Sequence, residues 1–181
     1  MGSAPELLIR NARKGMQRAF LRLFEEHHRA LFRFAWRLTG STADAEDIVQ
    51  ECFLALLRPN CSFDPRRTSV RTYLFGAVRN QSLKRLQRRE QTSVPEQAGD
   101  RTPETEAQRG EIEEAVASAI RALPETQREV LLLAHYEQLS LAEIAQITEL
   151  EVTAVKSRLQ RARATLRETL AAYAPRAERT L

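Results

Sequence analysis

One polar segment divides the apolar residues of this chain into two blocks. Residues 90–110, EQTSVPEQAGDRTPETEAQRG, contain two prolines, two glycines and almost no side chain that a core could bury. This composition is typical of a flexible linker. The sequence therefore predicts two small domains, at residues 1–89 and 111–181, joined by a linker at residues 90–110.

The two blocks share a helical pattern of apolar residues. Apolar side chains recur at three- and four-residue spacing, strand-type alternation is absent, and the chain has only 6 glycines. We expect an all-α fold with a helix-turn-helix in the C-terminal domain. The predicted helices cover residues 16–38, 42–57, 70–89, 112–123, 125–135, a short one beginning at 140, and 152–172.

Composition narrows the class of protein without deciding it. A net charge of +4 and a pI of about 9.5 permit nucleic-acid binding, but scattered basic residues give the same sum. Cys52 and Cys61 form no C-x-x-C pair, so a zinc site is not expected, nor is any other metal or cofactor. No apolar run approaches the roughly 20 residues of a membrane helix. We therefore expect a cytoplasmic protein.

The segment SLAEIAQITELEVTAVKSRLQRAR, residues 140–163, has the pattern of a helix-turn-helix. Ser140 and Glu143 form the S-x-x-E signature of a capping box, which predicts the start of the first helix. Glu149 occupies the turn, where a residue at positive φ is needed. A non-glycine residue there costs about 1 kcal/mol, which a packed domain tolerates.

The last predicted helix has one apolar face and one polar, cationic face. Val155, Leu159 and Ala162 share the apolar side with two leucines further along. A small, polar centre with cationic edges suits a helix in the major groove, where the centre meets base edges and the edges meet phosphate. The predicted DNA-binding residues of this helix are Lys156, Ser157, Arg158, Gln160, Arg161 and Arg163.

The N-terminal block identifies a family. DAEDIVQECFLALL (residues 44–57) followed by RTYLFGAVRNQSLKRLQRR (71–89) resembles the promoter-melting domain of bacterial RNA polymerase sigma factors of the extracytoplasmic-function (ECF) class. ALPETQREVLLLAHYEQLSLAEIA and VKSRLQRAR resemble the −35-binding domain of the same family. The resemblance implies sigma region 2 at 1–89, region 4 at 111–181, and a non-catalytic subunit that directs promoter-specific initiation.

The resemblance also implies partners and site residues. The acidic helix, in which Ile48, Val49, Phe53, Leu56 and Leu57 can enter the core, would bind the β′ coiled coil of core polymerase. Other implied partners are the β flap, promoter DNA and an anti-sigma factor. Binding to core polymerase is assigned to Asp44, Asp47, Gln50 and Glu51, and binding to melted −10 DNA to Tyr73, Asn80, Lys84, Gln87 and Arg88, which share one face of the 70–89 helix.

Three other classes of protein remain as alternatives on the residues alone. A metal enzyme would need Glu-x-x-His pairs on facing helices, and the sequence has none. An ordinary activator would bind duplex DNA without polymerase. An RNA-binding adaptor would use the basic helix on RNA. Promoter-dependent transcription by core polymerase separates these classes.

Overall fold

A computed structural model describes residues 17–92 and 110–173 of the chain. In these two ranges the backbone is helical throughout its regular elements and contains no strand, which confirms the predicted all-α fold. The elements are α1 (Gln17–Thr39), α2 (Thr42–Leu57), α3 (Val70–Thr92), α4 (Glu111–Ala122), α5 (Glu125–His135), α6 (Leu141–Thr148), α7 (Val152–Thr169) and a 3₁₀ turn at Ala171–Tyr173.

Local chemistry sets the corner between α1 and α2. Gly40 has φ +69°, a conformation open to glycine at little cost, and its N–H donates to the Trp36 carbonyl at 2.8 Å. The Ser41 hydroxyl then accepts from the Asp44 N–H at 3.2 Å and caps α2. The predicted helix stop and restart are therefore confirmed within one residue.

The first lobe, α1 to α3, packs around a cluster of aromatic rings. Phe34, Phe53 and Phe75 are each almost completely buried. The rings of Phe34 and Phe75 meet edge to face with centroids 5.4 Å apart. Each such ring stabilises the lobe by about 1.5–3 kcal/mol through removal of apolar surface from water. Three helices of moderate length thus form this core from their own apolar side chains.

The second lobe, α4 to α7, contains the predicted helix-turn-helix. α6 begins with the capping box, in which the Ser140 N–H donates to Glu143 at 2.8 Å and the Ser140 hydroxyl accepts from the Glu143 N–H at 3.2 Å. Glu149 lies in the left-handed region at φ 57°, as predicted for the turn. The buried side chains Ile144 and Val155 join α6 to α7.

Three predicted details differ from the structure. α3 continues to Thr92, so it enters the segment assigned to the linker, and α7 ends at Thr169 rather than near residue 172. Leu57 was predicted as a core residue, yet it is 37% exposed because it lies at the last turn of α2. The rest of the predicted linker, residues 93–109, lies outside the described residues, as do residues 1–16 and 174–181.

The two lobes contact each other directly. α3 packs on α6, α1 packs on α5, and the buried apolar residues of both lobes form one connected cluster. At the rim, the Thr68 hydroxyl donates to Gln146 at 3.4 Å. The described residues thus form two helical lobes in contact, with charged groups at the interface.

Candidate nucleic-acid interface

α7 presents most of its predicted DNA-binding residues to solvent. Burial of Val155, Leu159 and Ala162 fixes the helix on the second lobe and turns the opposite face outward. The guanidinium of Arg161 also donates to the Ser157 carbonyl at 3.3 Å. Five of the six predicted residues are exposed on this helix, namely Lys156, Ser157, Gln160, Arg161 and Arg163.

Arg158, the sixth predicted residue of α7, points toward the protein. Its Nη1 lies 3.4 Å from Oε1 of Glu129, and its side chain is 26% exposed. Glu129 itself is 1% exposed. A buried carboxylate needs a charged partner. Arg158 therefore stabilises the packing of α7, a role that its place on the polar side of the helix did not indicate.

Two further residues extend the exposed face of α7 toward its N-terminus. Val152 is 37% exposed, and Thr153 is exposed beside it. Val152, Lys156 and Gln160 follow one another at four-residue intervals, so they line one strip of the helix. The first turn of a recognition helix is the part that reaches base edges. The four-residue spacing could have indicated Val152 from the sequence.

The exposed face of α3 carries four of its five predicted residues. Asn80, Lys84, Gln87 and Arg88 are all exposed. The side-chain oxygen of Asn80 accepts from Nη1 of the neighbouring Arg79 at 3.2 Å, which orients the amide. These two amides and two cations thus share the exposed face of α3.

Tyr73, the fifth residue, packs against the loop before α3. Its hydroxyl lies 3.2 Å from the Ser62 hydroxyl and 3.6 Å from the Cys61 sulfur, and its ring meets that of Phe63 edge to face at 5.3 Å. Burial raises the pKa of Tyr73, while the Ser62 hydrogen bond opposes that shift. Tyr73 thus holds the 58–69 loop against α3 and is only partly exposed.

The acidic face of α2 divides into an inward and an outward part. Asp44 is 14% exposed and accepts from Arg85 at 3.0 Å and from Arg89. By contrast, Asp47 and Glu51 are 62% and 54% exposed, and Gln50 is exposed between them. Asp44 therefore fastens α2 to α3. Asp47 and Glu51 also lie 3.7 Å from Arg85 of α3, but both side chains remain exposed, as does Gln50.

An exposed leucine continues the outward face of α2. Leu54 is 50% exposed and lies one helical turn beyond Gln50. An aliphatic side chain that becomes buried at an interface adds affinity through removal of its apolar surface from water, whereas exposed acidic groups contribute mainly to orientation and rate. Leu54 is absent from the predicted core-polymerase-binding residues, although its position one turn after Gln50 can be read from the sequence.

The described residues offer no support for the metal-enzyme alternative. Among them, no group of three or more His, Cys, Asp or Glu side chains is placed to hold a metal ion. His27 is buried, and burial lowers its pKa. No helix in the described ranges is both long enough and apolar enough to cross a bilayer.

Two family models match the chain in the order of the two lobes. Sigma-70 region 2 matches residues 23–92, and Sigma-70, region 4 matches residues 113–166. The first match covers most of α1 and all of α2 and α3, including the acidic face of α2 and the exposed face of α3. The second covers the helix-turn-helix and nearly all of α7. The two lobes are thus the two parts of a transcription-initiation factor.

Curated relatives and solved structures narrow the class. ECF RNA polymerase sigma factor SigL of Mycobacterium tuberculosis is 36% identical over 82% of this chain and 86% of its own length. ECF RNA polymerase sigma factor SigW of Bacillus subtilis is 28% identical over 90% of this chain and 94% of its own. CnrH, solved in complex with the cytosolic domain of CnrY, superposes with a TM-score of 0.73 at 31% identity, covering 94% of this chain and 99% of that one. The chain belongs to the ECF class of RNA polymerase sigma factors.

Proposed function

We propose that this sigma factor directs core RNA polymerase to promoters through two separate DNA-binding surfaces. The exposed face of α7 binds the −35 element as duplex, and the exposed face of α3, together with the 58–69 loop, binds the melted −10 strand. The observation that supports this division is the presence of one polar, cationic helix face on each lobe. Duplex is read in the major groove, whereas unstacked bases need an amide and cations on an open surface.

Within the −35 surface, roles follow from position on α7. Gln160 and Arg161 lie at the centre of the exposed face and read base edges. Lys156 and Arg163 lie toward its edges and neutralise phosphate. Arg158 is bonded to Glu129, so we assign to it the positioning of α7 instead of a phosphate contact.

Core polymerase is bound by the outward face of α2. In this proposal Asp47, Gln50 and Glu51 orient the β′ coiled coil, and Leu54 supplies the apolar contact. Asp44 acts indirectly, by fixing α2 on α3. The second lobe binds the β flap. Since α2 is acidic and DNA is anionic, this side of the lobe stays free for a protein partner.

Regulation by an anti-sigma factor is part of the proposal. RpoE of Bartonella quintana, solved in complex with the anti-sigma factor NepR, superposes with a TM-score of 0.65 at 25% identity, covering 84% of this chain and 96% of that one. This likeness supports an anti-sigma factor as a partner of this chain.

Transcription with purified components tests the central claim. Core polymerase together with this protein should give transcripts from specific start sites on fragments of the host genome, and core polymerase alone should not. A failure of every fragment to give sigma-dependent transcripts would overturn the proposal. An activator would need a holoenzyme with another sigma factor, and an RNA-binding adaptor would show no dependence on promoter sequence.

The assignment of α2 has its own test. Leu54→Asp should weaken binding to core polymerase by about tenfold or more, because it puts a charge into the apolar centre of the interface. Thermal stability and binding to a −35 duplex should remain unchanged, since Leu54 is half exposed and lies on the other lobe. Unchanged core binding would remove Leu54 from the interface.

A further inference from the structure

The exposed face of α7 begins with an apolar side chain. Val152 is the first residue of the helix, and it is 37% exposed although its neighbours Glu151 and Thr153 are polar. Valine forms helices less readily than alanine, so the helix itself does not favour it at this position. The exposed part of its apolar surface leaves water only when a ligand covers it. Val152 is therefore a candidate contact for a ligand of this face.

Val152 lies in line with two residues to which we assign DNA contacts. Val152, Lys156 and Gln160 are all exposed, and their four-residue spacing puts them on one strip of the helix. Val155 and Leu159 are buried against the second lobe, and they fix the rotation of α7 about its own axis. A duplex that covers Lys156 and Gln160 therefore also covers Val152.

Two carboxylates beside Val152 disfavour phosphate at this end of the helix. Glu149 and Glu151 are both exposed, and the Glu151 side chain forms no capping hydrogen bond with α7. The N-terminus of a helix ordinarily attracts phosphate through its free N–H groups and its dipole. Here the negative charge of the two glutamates opposes that attraction. The first turn of α7 is therefore better suited to base edges than to the DNA backbone.

The chemistry of valine selects one kind of base edge. In the major groove the 5-methyl group of thymine is the one apolar group that the four bases display. Valine has no side-chain donor or acceptor, so it cannot bond the amino, carbonyl or ring-nitrogen groups of the other bases. Covering those groups with a valine removes them from water without a partner, which costs free energy. Val152 thus favours thymine and disfavours other bases at the same position.

We infer that Val152 is a specificity-determining residue, which contacts the 5-methyl group of a thymine in the −35 element. The inference rests on the proposed function, in which α7 binds the −35 duplex in the major groove. Val152 and Gln160 are separated by about 12 Å along the helix axis, at 1.5 Å per residue. At about 3.4 Å per base pair, the thymine lies within about four base pairs of the pair that Gln160 contacts.

Removal of single methyl groups from the DNA tests this inference. The probe is a promoter fragment on which core polymerase with this protein starts transcription. Each thymine of its −35 element, on either strand, is replaced in turn by deoxyuridine, which lacks the 5-methyl group and keeps every hydrogen-bonding group. The complex of core polymerase and wild-type protein should bind one substituted fragment about fourfold more weakly, the equivalent of about 0.8 kcal/mol for one buried carbon group.

Truncation of the valine should abolish this discrimination. Val152→Ala should bind the thymine and deoxyuridine fragments equally, because the side chain that contacts the methyl group is gone. The matched control is Ile112→Ala, which truncates another exposed aliphatic side chain of the second lobe, on α4, and should keep the fourfold ratio. Each protein is scored by its own ratio of two affinities, so a general change in polymerase binding cancels. Alanine is the better helix former, so the variant keeps α7 intact.

Restoration of the methyl group on another base separates a direct contact from an effect on duplex flexibility. A C·G pair at the position found with deoxyuridine should weaken binding by the wild-type protein. Replacing that cytosine by 5-methylcytosine puts a methyl group back at the same place in the major groove. Binding by the wild-type protein should recover in part, whereas binding by Val152→Ala should not change.

Three results would count against the inference in different ways. If the wild-type protein binds every deoxyuridine fragment as well as the original, no thymine methyl group is contacted and the inference is wrong. If the ratio persists in Val152→Ala and disappears in Thr153→Ser, the contact belongs to the methyl group of Thr153 instead. If no fragment supports transcription with core polymerase, the proposed function itself fails and the inference falls with it. Transcription without a Val152-dependent methyl effect removes the inference alone.

Discussion

α3 and α7 are both strongly basic helices, yet the fold uses their cations in opposite ways. Four arginines of α3 contact acceptors elsewhere in the protein: Arg71 and Arg79 bond the second lobe, and Arg85 and Arg89 bond Asp44. Among the predicted DNA-binding residues of α7, only Arg158 contacts an acceptor on another helix, the carboxylate of Glu129. The remaining predicted residues of α7 are exposed.

The difference follows from where each helix lies. α3 is enclosed between the acidic face of α2 and the second lobe, so acceptors approach it from two sides. α7 packs through its Val155 and Leu159 face and leaves the opposite face at the edge of the molecule. The number of basic residues in a helix therefore overstates the charge that it offers to DNA when acidic neighbours surround it.

The largest expected effect is on the free energy of unfolding, and it distinguishes the paired arginines of α3 from the exposed ones of α7. Asp44→Ala leaves Arg85 with only the more distant carboxylates of Asp47 and Glu51, at 3.7 Å, and leaves Arg89 with the Thr39 carbonyl. The variant should lower the free energy of unfolding by about 2 kcal/mol. Arg161→Ala, on the exposed face of α7, should change it by less than about 0.5 kcal/mol. Urea denaturation measures both. Equal losses would mean that the two helices do not differ as described.

Asn80→Ala should impair the −10 surface without affecting the −35 surface. The variant should reduce open-complex stability at a full promoter by about 1–3 kcal/mol, the value of one lost base contact. Binding to a −35 duplex should be unchanged, because that probe contacts the other lobe. A promoter with a pre-opened −10 bubble should retain the defect. If the bubble restores normal binding, Asn80 assists strand opening in another way.

Substitutions of Arg158 and Arg163 compare a paired arginine of α7 with an exposed one. Arg158→Ala should lower the free energy of unfolding by about 1–2 kcal/mol, because Glu129 loses a charged hydrogen bond. Arg163→Ala should leave stability unchanged, weaken binding to all duplexes alike, and reduce the salt slope by about 1. Denaturation curves and a salt titration of DNA binding separate the two. If Arg158→Ala instead lowers the salt dependence of DNA binding and leaves the free energy of unfolding unchanged, Arg158 contacts phosphate and does not position α7.

The smallest effect concerns the turn that aims α7. Glu149 has φ 57°, so Glu149→Gly should raise the free energy of unfolding by about 0.5–1 kcal/mol. Ala142→Gly, at an exposed position inside α6, should lower it by about 1 kcal/mol. Thermal denaturation of the two variants shows whether the stability gained by Glu149→Gly comes from the left-handed backbone conformation at that position. A loss at both positions would contradict the strain assigned to Glu149.

Local signals in the sequence accounted for most of the architecture. Helical periodicity located the helices, the Ser140–Glu143 pair located the start of α6, and Glu149 marked the turn. These features act over a few residues, so they can be read without knowing the fold. The comparisons with known proteins confirmed the family that the two motif sets indicated.

Sequence alone therefore determined the helices, their capping, the apolar face of α7 and the sigma factor class, because each depends on residues that are neighbours along the chain. Only the tertiary structure decided which charged side chains stay exposed to a binding partner and which pair within the protein. Asp44 lies across from Arg85, and Glu129 lies between Arg79 and Arg158, through pairings of residues far apart in sequence. A helical wheel shows the direction of a side chain, but the acceptor it meets depends on how the lobes pack.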